Sequence, residues 1–408
     1  MREYTPLENC LACGSTQTTA YATFGNQPLA NEFHTGSLGR DLFPLGLQVC
    51  LDCWNSQQLG VVDRERLYRD YAYASGTSAS LRRYFRDFAI DASFFFAPKD
   101  KLSVLDIASN DGTLLMEFKA RGHRVLGVEP SQLADNARAA GVPTINDFWS
   151  HESSLRALGT HPAGFDIVVA MNVLGHVSDP LEFLELCKAV LAPGGRIYVQ
   201  TSQARMVENA EFDTVYHEHI SFFTVSSFFA LAKRAGLVVA NIGHVPVHGT
   251  SYLVELVNYG EQQPADRFPL AIEEKLRGLN SESIYRNFYH HADMLIDHVQ
   301  STVALARREG FRIAGYGAAA KGMTFLNLAG IDLEFVADDA PLKINKLCPG
   351  NNIPVVASSH ARLKDPRPIF WLILPWNMRE EILQRILQLR PAHGDRFLTY
   401  FPRMLVTP

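Results

Sequence analysis

Four cysteines fall as Cys10-x-x-Cys13 and Cys50-x-x-Cys53, separated by the 36 residues 14–49. Each such turn presents two sulfurs to one ion, and two turns complete a tetrahedral shell, so this region is predicted to fold around zinc. Four protein ligands leave no open position, which makes the metal structural. Disulfides would need an oxidising compartment, and a redox Cys-x-x-Cys would not come twice without a thioredoxin-like context. Cys187 and Cys348 are isolated and read as small buried apolar residues. Between the knuckles, the polar run 26–33 reads as a loop or edge able to face a ligand.

The 408 residues allow two or three domains, each with its own core. A net charge of -5 gives no bulk attraction to nucleic acid or to anionic membrane. No apolar run reaches the roughly 18 residues of a membrane span, and Met1-Arg2-Glu3-Tyr4-Thr5 lacks the apolar core of a signal peptide. A cytoplasmic protein is expected, without nucleic-acid or membrane partners, as a monomer or weak oligomer.

From Lys101 the pattern becomes strand, glycine turn, helix, strand. Ser103 to Ala108 is an apolar strand, Ser109-Asn110-Asp111-Gly112 the turn, and Thr113 to Arg121 a helix with Leu114, Leu115 and Phe118 on one face. Arg124 to Pro130 forms the next strand. A right-handed crossover returns its terminal carboxylate, Glu129, to the first turn, where it can accept both hydroxyls of a ribose. A dinucleotide site wants Gly-x-Gly-x-x-Gly to admit a pyrophosphate, whereas here one glycine stands beside Asp106 and Asp111, which suits a cationic ligand without phosphate. The arrangement resembles the S-adenosylmethionine site of class I methyltransferases, with Ala108 and Asn110 at the first two glycine positions of their motif.

Later segments fit the same fold. Pro143 to Phe148 reads as a third strand bringing Asp147 and Phe148 to an adenine edge, and Phe165 to His176 as a fourth strand running into a loop that carries Asn172. Pro180 to Leu191 is a helix closed by the turn Pro193-Gly194-Gly195, with a strand over 196–201 after it. Two antiparallel strands, 237–243 and 250–258, flank His248.

Tyr216-His217-Glu218-His219 gathers two imidazoles, a carboxylate and a phenol within four residues, the densest cluster of proton-transfer groups in the sequence. It falls between the fifth strand and the final hairpin, on the side where open α/β sheets bind ligands. Ahead of the cofactor pattern, Tyr71, Tyr73 and the hydroxyl-rich stretch 75–80 could close over a polar ligand. Towards the carboxyl end, 271–308 reads as one or two long helices. A second strand-turn-helix unit follows, in which Gly315-x-Gly317 and Lys321 at a helix start make a plausible phosphate cradle or a tight structural turn. Strands over 333–337 and 368–375 complete it.

With the knuckles, Tyr71-x-Tyr73-x-Ser75, Ala108-Ser109-Asn110-Asp111-Gly112, the tetrad and Gly315-Tyr316-Gly317-x-x-x-Lys321 in this order, the chain resembles the sugar C-methyltransferases over essentially its full length. The resemblance implies an α/β protein: a zinc-binding module over 1–66, a class I methyltransferase core with a helical lead-in over 67–258, and a Rossmann-like domain over 259–408 that holds a nucleotide sugar. It also implies the chemistry. S-adenosylmethionine, held by Asp106, Ala108, Asn110, Gly112, Glu129, Asp147, Phe148 and Asn172, would methylate the carbon next to the ketone, C3, of a nucleotide-linked 4-keto-deoxysugar through an enolate. His219 would be the general base, Glu218 and Tyr216 would orient the sugar and steady the enolate oxygen, and His217 would face the core or support its neighbours. Tyr71, Tyr73, His248, Gly317 and Lys321 are expected on the sugar nucleotide. Two other readings compete: an O- or N-methyltransferase of a small metabolite, which would not need a carbon-acid base, and a zinc-ribbon adaptor supported by the cysteines alone.

Overall fold

The computed structural model describes residues 3–36, 41–68, 79–97, 99–201, 205–247, 249–260 and 268–408. Tyr71, Tyr73 and His248, expected at the substrate, lie outside the described residues.

The cysteine region is built of short strands, β1 (Tyr4–Pro6), β2 (Thr18–Gln27), β3 (Phe43–Cys50), β4 (Ser56–Gln58) and β5 (Gly60–Val62), followed by the helix α1 (Arg64–Tyr68). β1 pairs with β5, while β2, β3 and β4 form an antiparallel sheet whose fourth strand arrives from far down the chain. The two knuckles are built alike. Gly14 N–H donates to the Cys10 carbonyl at 2.8 Å and Trp54 N–H to the Cys50 carbonyl at 2.9 Å, and both residues are left-handed, with φ of 82° and 63°.

Helix α2 (Ala79–Phe94) leads into the central sheet. Its elements are β6 (Ser103–Ile107), α3 (Thr113–Ala120), β7 (Arg124–Val128), α4 (Leu133–Ala139), β8 (Thr144–Ile145), α5 (His151–Thr160), β9 (Phe165–Met171), α6 (Pro180–Ala189) and β10 (Leu191–Thr201). There follow β11 (Ser221–Phe222), α7 (Val225–Arg234), β12 (Leu237–Val245) and β13 (Ser251–Asn258). Seven of these strands lie in the order β12-β13-β10-β9-β6-β7-β8, all parallel except β13, which runs against both neighbours. This is the class I methyltransferase core, and its reversed last hairpin is where the sequence put it. β9, buried along Phe165 to Ala170, is apolar almost throughout because both faces of a parallel sheet are covered. β11 instead joins the first sheet as its missing edge, pairing with β4.

Two boundaries differ from expectation. The third strand has two residues instead of six, because the Asn146 side chain donates to the carbonyls of Glu129 at 2.8 Å and Ser131 at 3.1 Å and turns the chain out of the ladder. Pro193-Gly194-Gly195 does not end the helix before the strand begins. It is an irregularity inside β10, where the register with β9 shifts between Leu191 and Arg196 and Gly194 takes φ 73°.

The last region opens with two helices, α8 (Pro269–Leu276) and α9 (Glu282–Arg308). Ser281 caps α9, and its buried Tyr285, Phe288, Ala292, Val299, Val303 and Ala306 recur at helical spacing, giving one stripe that packs on both β2 and the first strand of the next sheet. Burying a side chain such as Phe288 stabilises by roughly 1.5–3 kcal/mol. That sheet comprises β14 (Arg312–Tyr316), β15 (Val336–Ala337), β16 (Val355–Val356), β17 (Ile369–Ile373), β18 (Arg396–Thr399) and β19 (Leu405–Thr407), in the order β16-β15-β14-β17-β18-β19, with only the edge strand β19 antiparallel. Helix α10 (Ala320–Ala329) links β14 to β15 and α11 (Arg379–Leu389) links β17 to β18. Among the described residues no helix is long and apolar enough to cross a membrane.

Candidate active site

The carboxyl ends of both parallel sheets open on one cavity of about 1720 Å³. On the side of the seven-stranded sheet, the positions where the family motif carries glycine demand left-handed backbone. Ala108 has φ 57°, Asn110 φ 54° and Gly112 φ 78°, and Asn172 at the end of β9 has φ 57°. A Cβ at Gly112 would also sit 3.1 Å from the Ala137 methyl. Glu129 accepts the Asn110 N–H on Oε2 and the Ser131 N–H on Oε1, both at 2.9 Å, so the end of β7 is tied to the turn after β6. Burial, and then the Glu129 charge, hold the Asp106 carboxyl well above the usual carboxylate range. Asn172 Oδ1 accepts from the Gln200 amide at 3.2 Å, and Gln200 Oε1 from the Tyr84 hydroxyl at 2.6 Å.

Of the residues expected to hold the cofactor, Asp106, Ala108, Asn110, Glu129, Phe148 and Asn172 line the cavity. Gly112 shapes the turn behind them. Asp147 is turned away, pairing with Arg156 at 3.2 Å and accepting the Phe148 N–H at 2.9 Å. The start of α3 is already occupied by a carboxylate, since Asp111 Oδ1 accepts the Thr113 N–H at 3.2 Å and hydroxyl at 2.6 Å. Carboxylates and amides without an open helix terminus suit a cationic ligand, and the site fits S-adenosylmethionine.

The tetrad stands between the two sheets. His219 Nδ1 lies 2.7 Å from the Thr214 carbonyl, which can only accept, so the proton sits on Nδ1. Nε2 therefore carries a lone pair, and the Tyr216 hydroxyl donates to it at 2.7 Å. Both residues line the cavity. His217 faces inward; it is fully buried, its Nε2 lies 3.3 Å from the Phe43 carbonyl, and burial pushes its pKa down to about 4. Glu218 lies a layer behind the cavity wall. Burial raises its pKa, and its Oε1 accepts from Asn31, itself a wall residue, at 2.8 Å.

Sequence reasoning passed over His176. Its ring lies 4.9 Å from that of His219, its Nδ1 is 3.2 Å from the Tyr68 hydroxyl, and burial lowers its pKa to about 4, so it is neutral. The available signal was its place just past the end of a buried parallel strand.

Across the cavity, Gly317 is required twice over. Its φ is 84°, and a Cβ there would meet the Pro375 ring at 2.5 Å. Asp338, just after β15, accepts the Ala318 N–H at 2.6 Å. Helix α10 has Ala319 at its N-cap, with no capping side chain, and the Lys321 ammonium in its first turn lies 4.5 Å from the Trp376 ring centre. The Trp376 indole donates to Asp213 at 2.8 Å. Asp213 is fully buried, and burial pushes its carboxyl up to about 7 although Lys321 pulls the other way. Gly317 and Lys321 both line the cavity.

In the knuckles, Cys10 and Cys53 Sγ are 3.5 Å apart, as are Cys13 and Cys50 Sγ, and all four lie within 4.8 Å of one another. A tetrahedral shell with zinc–sulfur bonds of about 2.3 Å puts sulfurs about 3.8 Å apart, so the four thiolates fit zinc with no position left for substrate.

Three family models match in succession: a zinc binding domain over 10–68, a methyltransferase domain over 80–242 and a C-methyltransferase C-terminal domain over 246–402. The chain is 29% identical to the C-methyltransferase NovU of Streptomyces niveus, across 97% of this chain and 96% of that protein. It is 28% identical to a ubiquinone biosynthesis O-methyltransferase of Aromatoleum aromaticum, but over only 34% of this chain and 65% of that enzyme. Among solved structures, magnesium protoporphyrin IX methyltransferase of Synechocystis PCC 6803 with bound SAM aligns with 43% of this chain and 79% of its own, at 12% identity and a TM-score of 0.33, too slight a likeness to add weight. The three models together span 10–402 and the likeness to a C-methyltransferase is full-length, so the chain is similar throughout to zinc-containing, S-adenosylmethionine-dependent C-methyltransferases.

Proposed function

We propose that the enzyme methylates C3 of a nucleotide-linked 4-keto-deoxysugar, with His219 as the general base. One observation carries the reading: the Tyr216–His219 pair sits on the wall of a single cavity whose two ends are different sheets. A ligand pocket is commonly 300–1,000 Å³, so 1720 Å³ has room for a methyl donor and a second, larger ligand side by side. We read 1–66 as the zinc module, 67–258 as the methyl-donor domain and 259–408 as the domain that holds the nucleotide.

S-adenosylmethionine, when bound, supplies an electrophilic methyl group. The rest is the work of the chain. Asp106, Glu129 and Asn172 hold the donor, and Lys321 with the uncapped start of α10 takes the phosphates. As the sugar enters, the Tyr216 hydroxyl passes its hydrogen bond from His219 Nε2 to the C4 ketone oxygen. The freed lone pair takes the C3 proton and the electron pair moves into the enolate, whose carbon would accept the methyl group as the methyl–sulfur bond breaks and its electron pair leaves on sulfur. Thr214 keeps the other imidazole proton in place and stabilises the imidazolium that forms.

Incubation with carbon-13-methyl S-adenosylmethionine and a panel of 4-keto-6-deoxy nucleotide sugars tests this. A new methyl at a carbon-bound chemical shift is expected. A label at an oxygen- or nitrogen-bound shift overturns the enolate route, and transfer to none of the sugars removes the substrate class.

A further inference from the structure

The zinc site lies outside the cavity, yet a side chain of the module around it reaches Tyr216 and His219 of the tetrad. Gln58, on β4 and 1% exposed, directs Nε2 between two carbonyls, donating to Tyr216 at 2.7 Å and to His219 at 2.9 Å. Both partners are acceptors only, so the amide nitrogen must face them, and it uses both its hydrogens. The Gln58 backbone N–H adds a third bond, to the Ile220 carbonyl at 2.9 Å. One residue of the zinc module thus spans the first and last members of the tetrad and the residue after it. The pairing of β4 with β11, Ser221 opposite Gln57, continues the brace.

β4 is in turn pinned to the metal knuckles. Neighbouring Gln57, fully buried on the other face, donates to the Asn9 carbonyl and accepts the Leu11 N–H, each at 2.8 Å, so its amide straddles Cys10. The path runs from the sulfur shell through Gln57 to the strand, and from the strand through Gln58 to Tyr216 and His219.

We propose that Gln58 is a positioning residue for the Tyr216–His219 pair, and that the zinc module acts on the reaction through it. Without its two donors the 216–219 turn loses its side-chain tie to β4 and relaxes. The Thr214–His219–Tyr216 hydrogen-bond chain, which fixes where the imidazole proton sits, then loses its geometry. Misplacement of a catalytic group by about 1 Å costs on the order of 10²-fold in rate, and loss of a supporting partner typically 10–100-fold.

The proposal's kinetic arm rests on the functional reading above, so its test has a second arm that needs no substrate. Gln58→Met keeps the volume and removes both donors; Gln57→Met cuts the path one step nearer the metal. In the zinc-loaded enzyme with nitrogen-15 histidine, the His219 signals, assigned by their absence in His219→Asn, should report the Nδ1–H form in wild type. They should shift towards a mixture of tautomers in Gln58→Met, and in smaller measure in Gln57→Met. With an accepted sugar, kcat of Gln58→Met should fall about 10–100-fold while KM and S-adenosylmethionine affinity stay within twofold. Unchanged His219 signals, with only a lower Tm, overturn the proposal. Should Gln58→Met not fold, Gln58→Asn, which withdraws the amide by one methylene, must show the same shift in smaller measure or the proposal falls. If wild type methylates no sugar, the functional reading fails and the nitrogen signals still decide the role of Gln58.

Discussion

The two parallel sheets present the same local device to one cavity, and they differ where it meets the ligand. In each, a strand ends in a tight left-handed turn, a helix follows, and an acidic residue past the end of the next strand accepts a turn N–H: Glu129 from Asn110, Asp338 from Ala318. In the first, Asp111 fills the start of α3; in the second, α10 starts uncapped, with Lys321 in its first turn. One helix terminus repels phosphate and the other invites it. Shared topology therefore says little about which ligand binds, and the three or four residues at the turn say most of it.

The seam between the two turns should be the most sensitive place. His219→Asn is expected to lower turnover by about 10²–10⁴-fold while calorimetry finds donor and sugar-nucleotide binding unchanged. A loss of binding at either end would mean that the ends are not separable. The charge contrast depends next on Asp213, whose carboxyl is raised to about 7 in the fold. An unfolded aspartate titrates near 4, so between about pH 4 and 7 the folded chain keeps a proton that the unfolded chain has released. Stability should fall as pH rises through that window and level off above it. Asp213→Asn should flatten this decline by up to roughly 1.4 kcal/mol per pH unit in urea titrations, whereas slopes identical to wild type would show the carboxyl ionised and the second turn less positive than supposed.

Lys321→Ala should raise KM for the sugar nucleotide about 10–100-fold and leave donor affinity alone; lost folded yield at constant KM would make the turn merely structural. The turns should also respond oppositely to one methyl group. Gly317→Ala, which combines φ 84° with the Pro375 clash, should cost about 2 kcal/mol or more. Ala108→Gly relieves φ 57° and should stabilise by up to about 1 kcal/mol, both read from urea midpoints.

What could be read in the sequence follows from this. Both turns, both knuckles and the reversed hairpin were legible because their determinants lie within about thirty residues of each other. The tetrad was legible as a cluster, but nothing local fixed whether His217 turns inward or supports its neighbours. Asn31 was marked only as part of the polar run 26–33, and Gln58 and Asp338 carried no signal of their own. Asn31 meets Glu218 and Gln58 meets Tyr216 across more than 150 residues, and nothing local marks a buried amide as a brace. Asp147 misled because its strand was read too long. Asn146 ends β8 early, and Asp147 then finds Arg156 instead of the cavity.

β11 has a consequence for how the protein is made. The sheet that carries the zinc knuckles gains its last strand only when Phe222 leaves the ribosome, long after Gln58 has done so. At translation rates of roughly 5–20 residues per second, the amino-terminal module waits on the order of ten seconds or more with an open edge. Metal capture by the four thiolates in that interval would hold β2, β3 and β4 ready and shield an edge prone to mispairing. The ion would then serve the nascent chain before it serves the enzyme.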